Sequence, residues 1–175
     1  RAEPFLSINP RATVPVLQHG DIVIRDSIAA LAWLDRAFPE RPLFGDTPDE
    51  AARIWQITLE ACDYLRQANK SLLTPVLQQR QTPQPGTGEA ETLTLAAEKL
   101  HAECRWLEAL LQDQPYLFGT RPTAADAVVF PEIRLIQRAV ETCHDVMDQL
   151  GFGFPPDLYP RLSAWKDRFS ALPGV

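Results

Sequence analysis

The stretch Val14-Pro15-Val16-Leu17-Gln18-His19-Gly20-Asp21-Ile22-Val23-Ile24, followed by Arg25-Asp26-Ser27-Ile28, decides the fold. It holds two short runs rich in β-branched residues, parted by His19-Gly20-Asp21, whose turn chemistry predicts a β-hairpin. Pro15 would break the ladder of a central strand, so it belongs at a strand's beginning. Asp26 and Ser27 then stand where a helix should be capped. Ile28, Leu31, Ala32, Leu34 and Ala37 follow at helical spacing until Pro39. The head of the chain reads as strand, turn, strand, helix.

Downstream the pattern changes to long helices. Pro39, Pro42, Gly45 and Asp46 mark residues 40–47 as a linker. Thr47-Pro48-Asp49-Glu50 then combines a capping residue, a proline suited to the first turn and a capping-box glutamate. Ala51, Ile54, Trp55, Leu59, Cys62 and Leu65 continue that helix, which should bend or stop near Pro75. Gln81 to Gly88 is a polar surface loop. Leu93, Ala96, Ala97, Leu100, Cys104, Leu107 and Leu111 mark the next helix. Thr123-Ala124-Ala125-Asp126 opens another, with Pro131 inside it as an expected kink. After the loop 151–156, Pro160 begins a last helix that turns Leu162, Trp165 and Phe169 inward. The expectation is an α+β chain: residues 1–39 a fragmentary α+β unit, 40–47 a linker, 48–175 an all-helical domain.

Composition narrows the partners. Of 175 residues, 17 are Lys or Arg and 23 are Asp or Glu, so the net charge is −6. An acidic chain with dispersed basic residues argues against nucleic acid or an anionic membrane surface as the main partner. No apolar run approaches the roughly 20 residues of a spanning helix. The three cysteines, Cys62, Cys104 and Cys143, have neither disulfide nor metal-ligand spacing, and the three histidines are scattered, so no metal is expected. A reducing cytoplasmic setting is the default.

Three groups of residues invite a reading. At Asp26-Ser27 a carboxylate and a hydroxyl can simply cap backbone amides. They can equally recognise both charges of an α-amino acid. The helix N-terminus and Ser27 would take the ligand's carboxylate, and Asp26 its ammonium. Val14-Pro15 is either an edge device or, with a cis bond, a backbone edge ready for an extended peptide. Thr123 and Asp126 form a capping box with Asp in place of Glu, a structural device that starts a buried helix.

These residues resemble a known family. Asn9-Pro10-Arg11-Ala12-Thr13-Val14-Pro15-Val16-Leu17, the hairpin Gln18 to Ile24 and Asp26-Ser27-Ile28-Ala29-Ala30 are similar to the second half of the thioredoxin-like, glutathione-binding domain of cytosolic glutathione transferases, of bacterial theta-like or zeta-like type. Leu117-Phe118-Gly119 through Thr123-Ala124-Ala125-Asp126-Ala127 resembles the family's helix-initiating motif. Tyr159-Pro160-Arg161-Leu162-Ser163-Ala164-Trp165 resembles its final helix. The resemblance implies that Val14 and a cis Pro15 bind the cysteinyl part of glutathione, that Asp26 and Ser27 bind its γ-glutamyl end, and that Thr123 and Asp126 cap the core helix. It implies glutathione as co-substrate, a small hydrophobic electrophile as second substrate, and a cytoplasmic homodimer. Helices 48–73 and 90–112 would line the second pocket and the dimer interface. A dimer also suits the long helices, which carry more apolar positions than one buried stripe uses. The family's first β-α-β segment, with the residue that activates the thiol, would precede Arg1. The implied function is conjugation of the glutathione thiolate to an electrophile. The alternatives are a glutathione-dependent isomerase or dehalogenase, or a non-catalytic assembly domain.

Overall fold

The structure is a computed structural model that describes residues 3–153 and 158–174; the Phe154–Pro156 part of the loop expected at 151–156 lies outside them. The chain forms two compact units, residues 1–52 and 53–175.

The first unit begins with a short helix, α1 (Glu3–Ile8), which the sequence reading lacks; six residues carry too little periodicity to announce themselves. Asn9, wholly buried, folds the chain after it. Its Nδ2 donates to the Thr13 carbonyl (2.7 Å) and hydroxyl (3.1 Å), and its Oδ1 accepts from the Arg11 amide (3.2 Å). The hairpin follows as β1 (Leu17–His19) and β2 (Ile22–Ile24), antiparallel, with Leu17 opposite Ile24 and His19 opposite Ile22. Gly20 supplies the positive φ (56°) that so tight a turn requires. Val14, Pro15 and Val16 lie before the ladder rather than inside it, which removes the conflict between Pro15 and strand pairing. Helix α2 (Ser27–Ala37) comes next, and Asp35 near its end accepts the amides of Leu43 (2.7 Å) and Phe44 (3.0 Å), turning the following segment back.

Helix α3 (Pro48–Glu60) starts on the Thr47–Glu50 capping box: the Glu50 amide donates to the Thr47 hydroxyl (3.2 Å) and the Thr47 amide to Glu50 (3.3 Å). The regular α-helical course of this segment stops at Leu73, where a bend or stop near Pro75 is expected. A wide π-helical turn (Ala61–Leu65) leads to α4 (Arg66–Leu73), and a second one (Thr74–Gln78) carries the helix past the proline. In the wide turn the Gln79 amide reaches five residues back to the Thr74 carbonyl (3.3 Å), so the ladder resumes beyond the missing Pro75 donor.

Helix α5 (Gly88–Leu110) is capped by Thr87, and α6 (Ala124–Thr142) runs through Pro131 as one helix. Two shorter helices follow, α7 (His144–Gln149) and α8 (Pro160–Ser170). Pro160 is the first residue of α8, and Glu108 on α5 receives the amides of Arg161 (3.0 Å) and Leu162 (2.8 Å), donors that this helix start leaves free. The core lies between α4, α5, α6 and α8, where Leu65, Leu72, Leu100, Leu107, Val129, Ile136 and Trp165 are sealed from solvent. Each such side chain contributes about 1.5–3 kcal/mol. Among the described residues no helix is long and apolar enough to cross a membrane.

Candidate functional site

Antiparallel pairing places the residues before β1 and those after β2 at one end of the hairpin. Val14 and Pro15 therefore meet Arg25, Asp26 and Ser27 there by topology. The Val14–Pro15 peptide is cis, as the resemblance implies. Val14 is 65 % exposed, and its backbone N–H and C=O bond to no other described residue. The loop that carries it is built by Asn9 and fixed to β2 by Arg25, whose Nε donates to the Ile8 carbonyl (3.0 Å). Asn9 is the residue that reasoning from sequence missed. An Asn before a Pro-containing loop is its only signal.

Asp26 is extended (φ −130°, ψ 137°), and its Oδ1 accepts from the amides of Ile28 (2.9 Å) and Ala29 (3.0 Å). One carboxylate oxygen thus caps α2. The other oxygen and the half-buried Ser27 hydroxyl have no hydrogen-bond partner among the described residues. Capping and ligand recognition divide between the two oxygens of one side chain, and the helix start adds a positive field beside them. The group can accept from a cation and donate to a carboxylate at once.

Thr123 and Asp126 lie elsewhere, in the helical unit. Asp126 is fully buried, and four donors surround it. Its Oδ2 accepts from the Thr123 amide and hydroxyl (2.8 Å each), and its Oδ1 from the Leu117 amide (2.9 Å) and Trp165 Nε1 (2.7 Å). Burial pushes its carboxyl pKa up, and the hydrogen bonds from Leu117, Trp165 and Thr123 pull against that. This cluster has structural chemistry only: every group in it is spent.

A second concave region lies on the helical unit, a groove of about 500 Å³ between α4 with its following wide turn and α6. Leu73, Leu77 and Leu135 supply its apolar lining, and Arg66, Lys70, Arg80 and Arg138 bring four cations against the one carboxylate of Glu132. Glu132 accepts from Arg66 Nε at Oε1 and from Asn69 Nδ2 at Oε2 (2.9 Å each). Asn69 Nδ2 also donates to the Glu132 carbonyl (3.0 Å). Two acceptors on that side fix the amide's orientation, so Asn69 Oδ1 is left buried without a partner. An unpaired buried acceptor costs about 1–3 kcal/mol.

The comparisons with known proteins agree with this architecture. Residues 1–42 match the N-terminal domain of glutathione S-transferases and residues 81–168 their C-terminal domain. The chain is 27 % identical over 167 residues to glutathione S-transferase 1 of Dianthus caryophyllus, covering 94 % of this chain and 67 % of that one. It is 27 % identical over 176 residues to maleylacetoacetate isomerase of Pseudomonas aeruginosa, covering 99 % of this chain and 74 % of that one. Among solved structures, a glutathione S-transferase from Rhodospirillum rubrum superposes with a TM-score of 0.76 at 22 % identity, covering 99 % of this chain and 73 % of its own. Human glutathione S-transferase T1-1 gives 0.73 at 22 % identity, with 97 % and 66 % covered. Both domains occur in the family's order along the chain. The chain belongs to the glutathione S-transferase family.

Proposed function

We propose that the protein is a glutathione-dependent enzyme that delivers the glutathione thiolate to a small electrophile. The observation that carries this reading is the start of α2, where an uncommitted Asp26 oxygen and the Ser27 hydroxyl sit at the hairpin end that also presents the Val14 backbone. In this reading the γ-glutamyl carboxylate meets the α2 N-terminus and accepts from Ser27. Its ammonium donates to Asp26, and Val14 pairs with the cysteinyl backbone as an added strand would.

A free thiol of pKa about 8.5 is only a few per cent thiolate at neutral pH, so catalysis needs a donor that stabilises the thiolate. The family resemblance assigns that donor to the first β-α-β segment of the thioredoxin-like domain. In conjugation the sulfur lone pair forms the new C–S bond and the leaving group departs with its electron pair. In isomerisation the thiolate adds to a conjugated double bond, rotation follows, and elimination returns glutathione. The relative from Pseudomonas aeruginosa, matched over 99 % of this chain, supports the second variant. A purely assembling domain would have no use for the uncommitted acid and hydroxyl. The same reading gives residues 1–39 to the glutathione-binding domain, 40–47 to a linker and 48–175 to the helical domain of a cytoplasmic homodimer. The exposed apolar side chains of Leu59, Tyr64 and Leu95 support the dimer.

Calorimetry tests the site. Asn caps helices as well as Asp, so Asp26→Asn preserves α2 while removing the charge. Asp26→Asn and Ser27→Ala should each weaken glutathione binding about tenfold. Unchanged affinity in both variants would remove the assignment.

A further inference from the structure

We propose that a pocket between α5, α6 and α8 binds neutral aromatic compounds that carry one hydroxyl group, with Ser163 as its hydrogen-bonding residue. The proposal concerns the helical unit alone and does not depend on the function proposed above. Ile133, Ile136 and Val140 lie on one face of α6, and Leu162 of α8 and Cys104 of α5 complete the apolar lining of a pocket of about 350 Å³. That volume is within the range of small-molecule pockets. Burial pushes the Cys104 thiol up to about 12, so its sulfur stays protonated and is an apolar wall, not a nucleophile. Protein interiors are otherwise close-packed, and this lining lacks the dispersion partners that a bound ring would supply.

The polar side chains of the pocket decide what its ligand can carry. Gln137 is engaged at both ends: it accepts from Arg134 (2.6 Å) and donates to Glu141 (2.8 Å). The Tyr159 hydroxyl is held by His101 Nδ1 (2.8 Å), and Lys166 Nζ pairs with Asp167 (3.1 Å). The half-buried Ser163 hydroxyl has no hydrogen-bond partner among the described residues. Glu141 on α6 and Lys166 on α8 give the pocket one charge of each sign. A charged head group of either sign therefore meets one like charge and loses its hydration. A neutral hydroxyl avoids that cost, and it can donate to Ser163 or accept from it.

The test follows the isoleucine methyl resonances of the protein, without glutathione, as 2-naphthol is added at neutral pH. The ring current of a bound naphthol should move Ile133 and Ile136 and leave Ile54 and Ile57, buried on α3, where they are. Naphthalene has the same body without the hydroxyl and should bind about fivefold more weakly. Ser163→Ala should bring 2-naphthol down to the affinity of naphthalene. The 2-naphthoate anion should bind about tenfold more weakly than 2-naphthol. Val140→Phe puts a ring of the protein's own into the pocket and should abolish the shifts. Should that variant fail to fold, Ser163→Ala still decides, since it removes one oxygen from a half-buried helical position. Unmoved Ile133 and Ile136 would overturn the proposal, as would shifts of equal size at Ile54 and Ile57. Naphthoate binding as tight as that of naphthol, or full naphthol affinity in Ser163→Ala, would overturn it too.

Discussion

Asp126 is acceptor to four donors, and each would be buried and unpaired without it. Losing a helix cap costs about 0.5–2 kcal/mol, but this carboxylate also holds Leu117 and Trp165. Asp126→Asn, which turns an NH2 toward donors, should therefore cost more, about 2–4 kcal/mol. A urea midpoint within error of wild type would contradict that. The spacing of Thr123 and Asp126 is legible in the sequence. The Trp165 bond, 39 residues away, is not, because no local pattern encodes it. His101 is a second such case: it looks like one of three scattered histidines, yet it joins three segments. Its Nε2–H donates to the Leu150 carbonyl (3.0 Å), its Nδ1 faces the Tyr159 hydroxyl (2.8 Å), and its ring stacks on Phe152 at 3.7 Å. Burial lowers its pKa below the ordinary 6.5, against the pull of the Leu150 bond, and Arg105 adds to the lowering. Below 6.5 the unfolded chain binds this proton more readily than the folded one does. Its contribution to stability is therefore complete above that pH and lost as pH falls through the folded value. The loss should be smaller in His101→Gln; equal pH profiles of the denaturant midpoint would refute the assignment.

The two wide turns are the features at the scale of elements that the sequence hides. Each contains one residue more than an α-helical turn would use; Ala61–Leu65 does not differ in composition from ordinary helix, and Pro75 in Thr74–Gln78 signals a break rather than a wide turn. The hydrophobic spacing does weaken after Leu73, and that slip predicts the bend or stop near Pro75 without its wide-turn form. Removing exposed Asp63 should convert the first wide turn to regular helix while α3 and α4 keep their faces, so the protein should still fold. Removing exposed Lys99 from α5 should rotate everything beyond it by about 100° and pull Leu100, Cys104 and Leu107 from the core. Circular dichroism melts of the two deletions give the answer: equal losses would mean that the wide turns are not spare length. The hairpin shows the same limit in milder form. Its turn was plain in His19-Gly20-Asp21, but the ladder starts only at Leu17, because apolar residues continue past the point where pairing stops.

Across the whole molecule, burial is uneven. Among the described residues of 1–52 only Asn9 and Phe44 are buried, whereas the largest described side chains sealed from solvent belong to residues 53–175. Hydrogen exchange should therefore be slowest in α5, α6 and α8 and fastest before Pro48. Comparable protection in both units would show that the first has stability not visible in its packing. The fold class and the hairpin end that gathers Val14, Asp26 and Ser27 were legible because each rests on contiguous motifs. The groove was not, since its cations come from two segments, 66–80 and 138, more than fifty residues apart and look dispersed along the chain. Its charge opposes that of the molecule around it, and the two fields have different ranges. In dilute buffer of about 0.01 M, screening acts over roughly 30 Å, and an approaching anion meets the repulsion of the whole acidic chain first. At about 0.15 M the reach falls to roughly 8 Å, and the nearby arginines dominate. Encounter of an anion with the groove should thus quicken at first as salt is added.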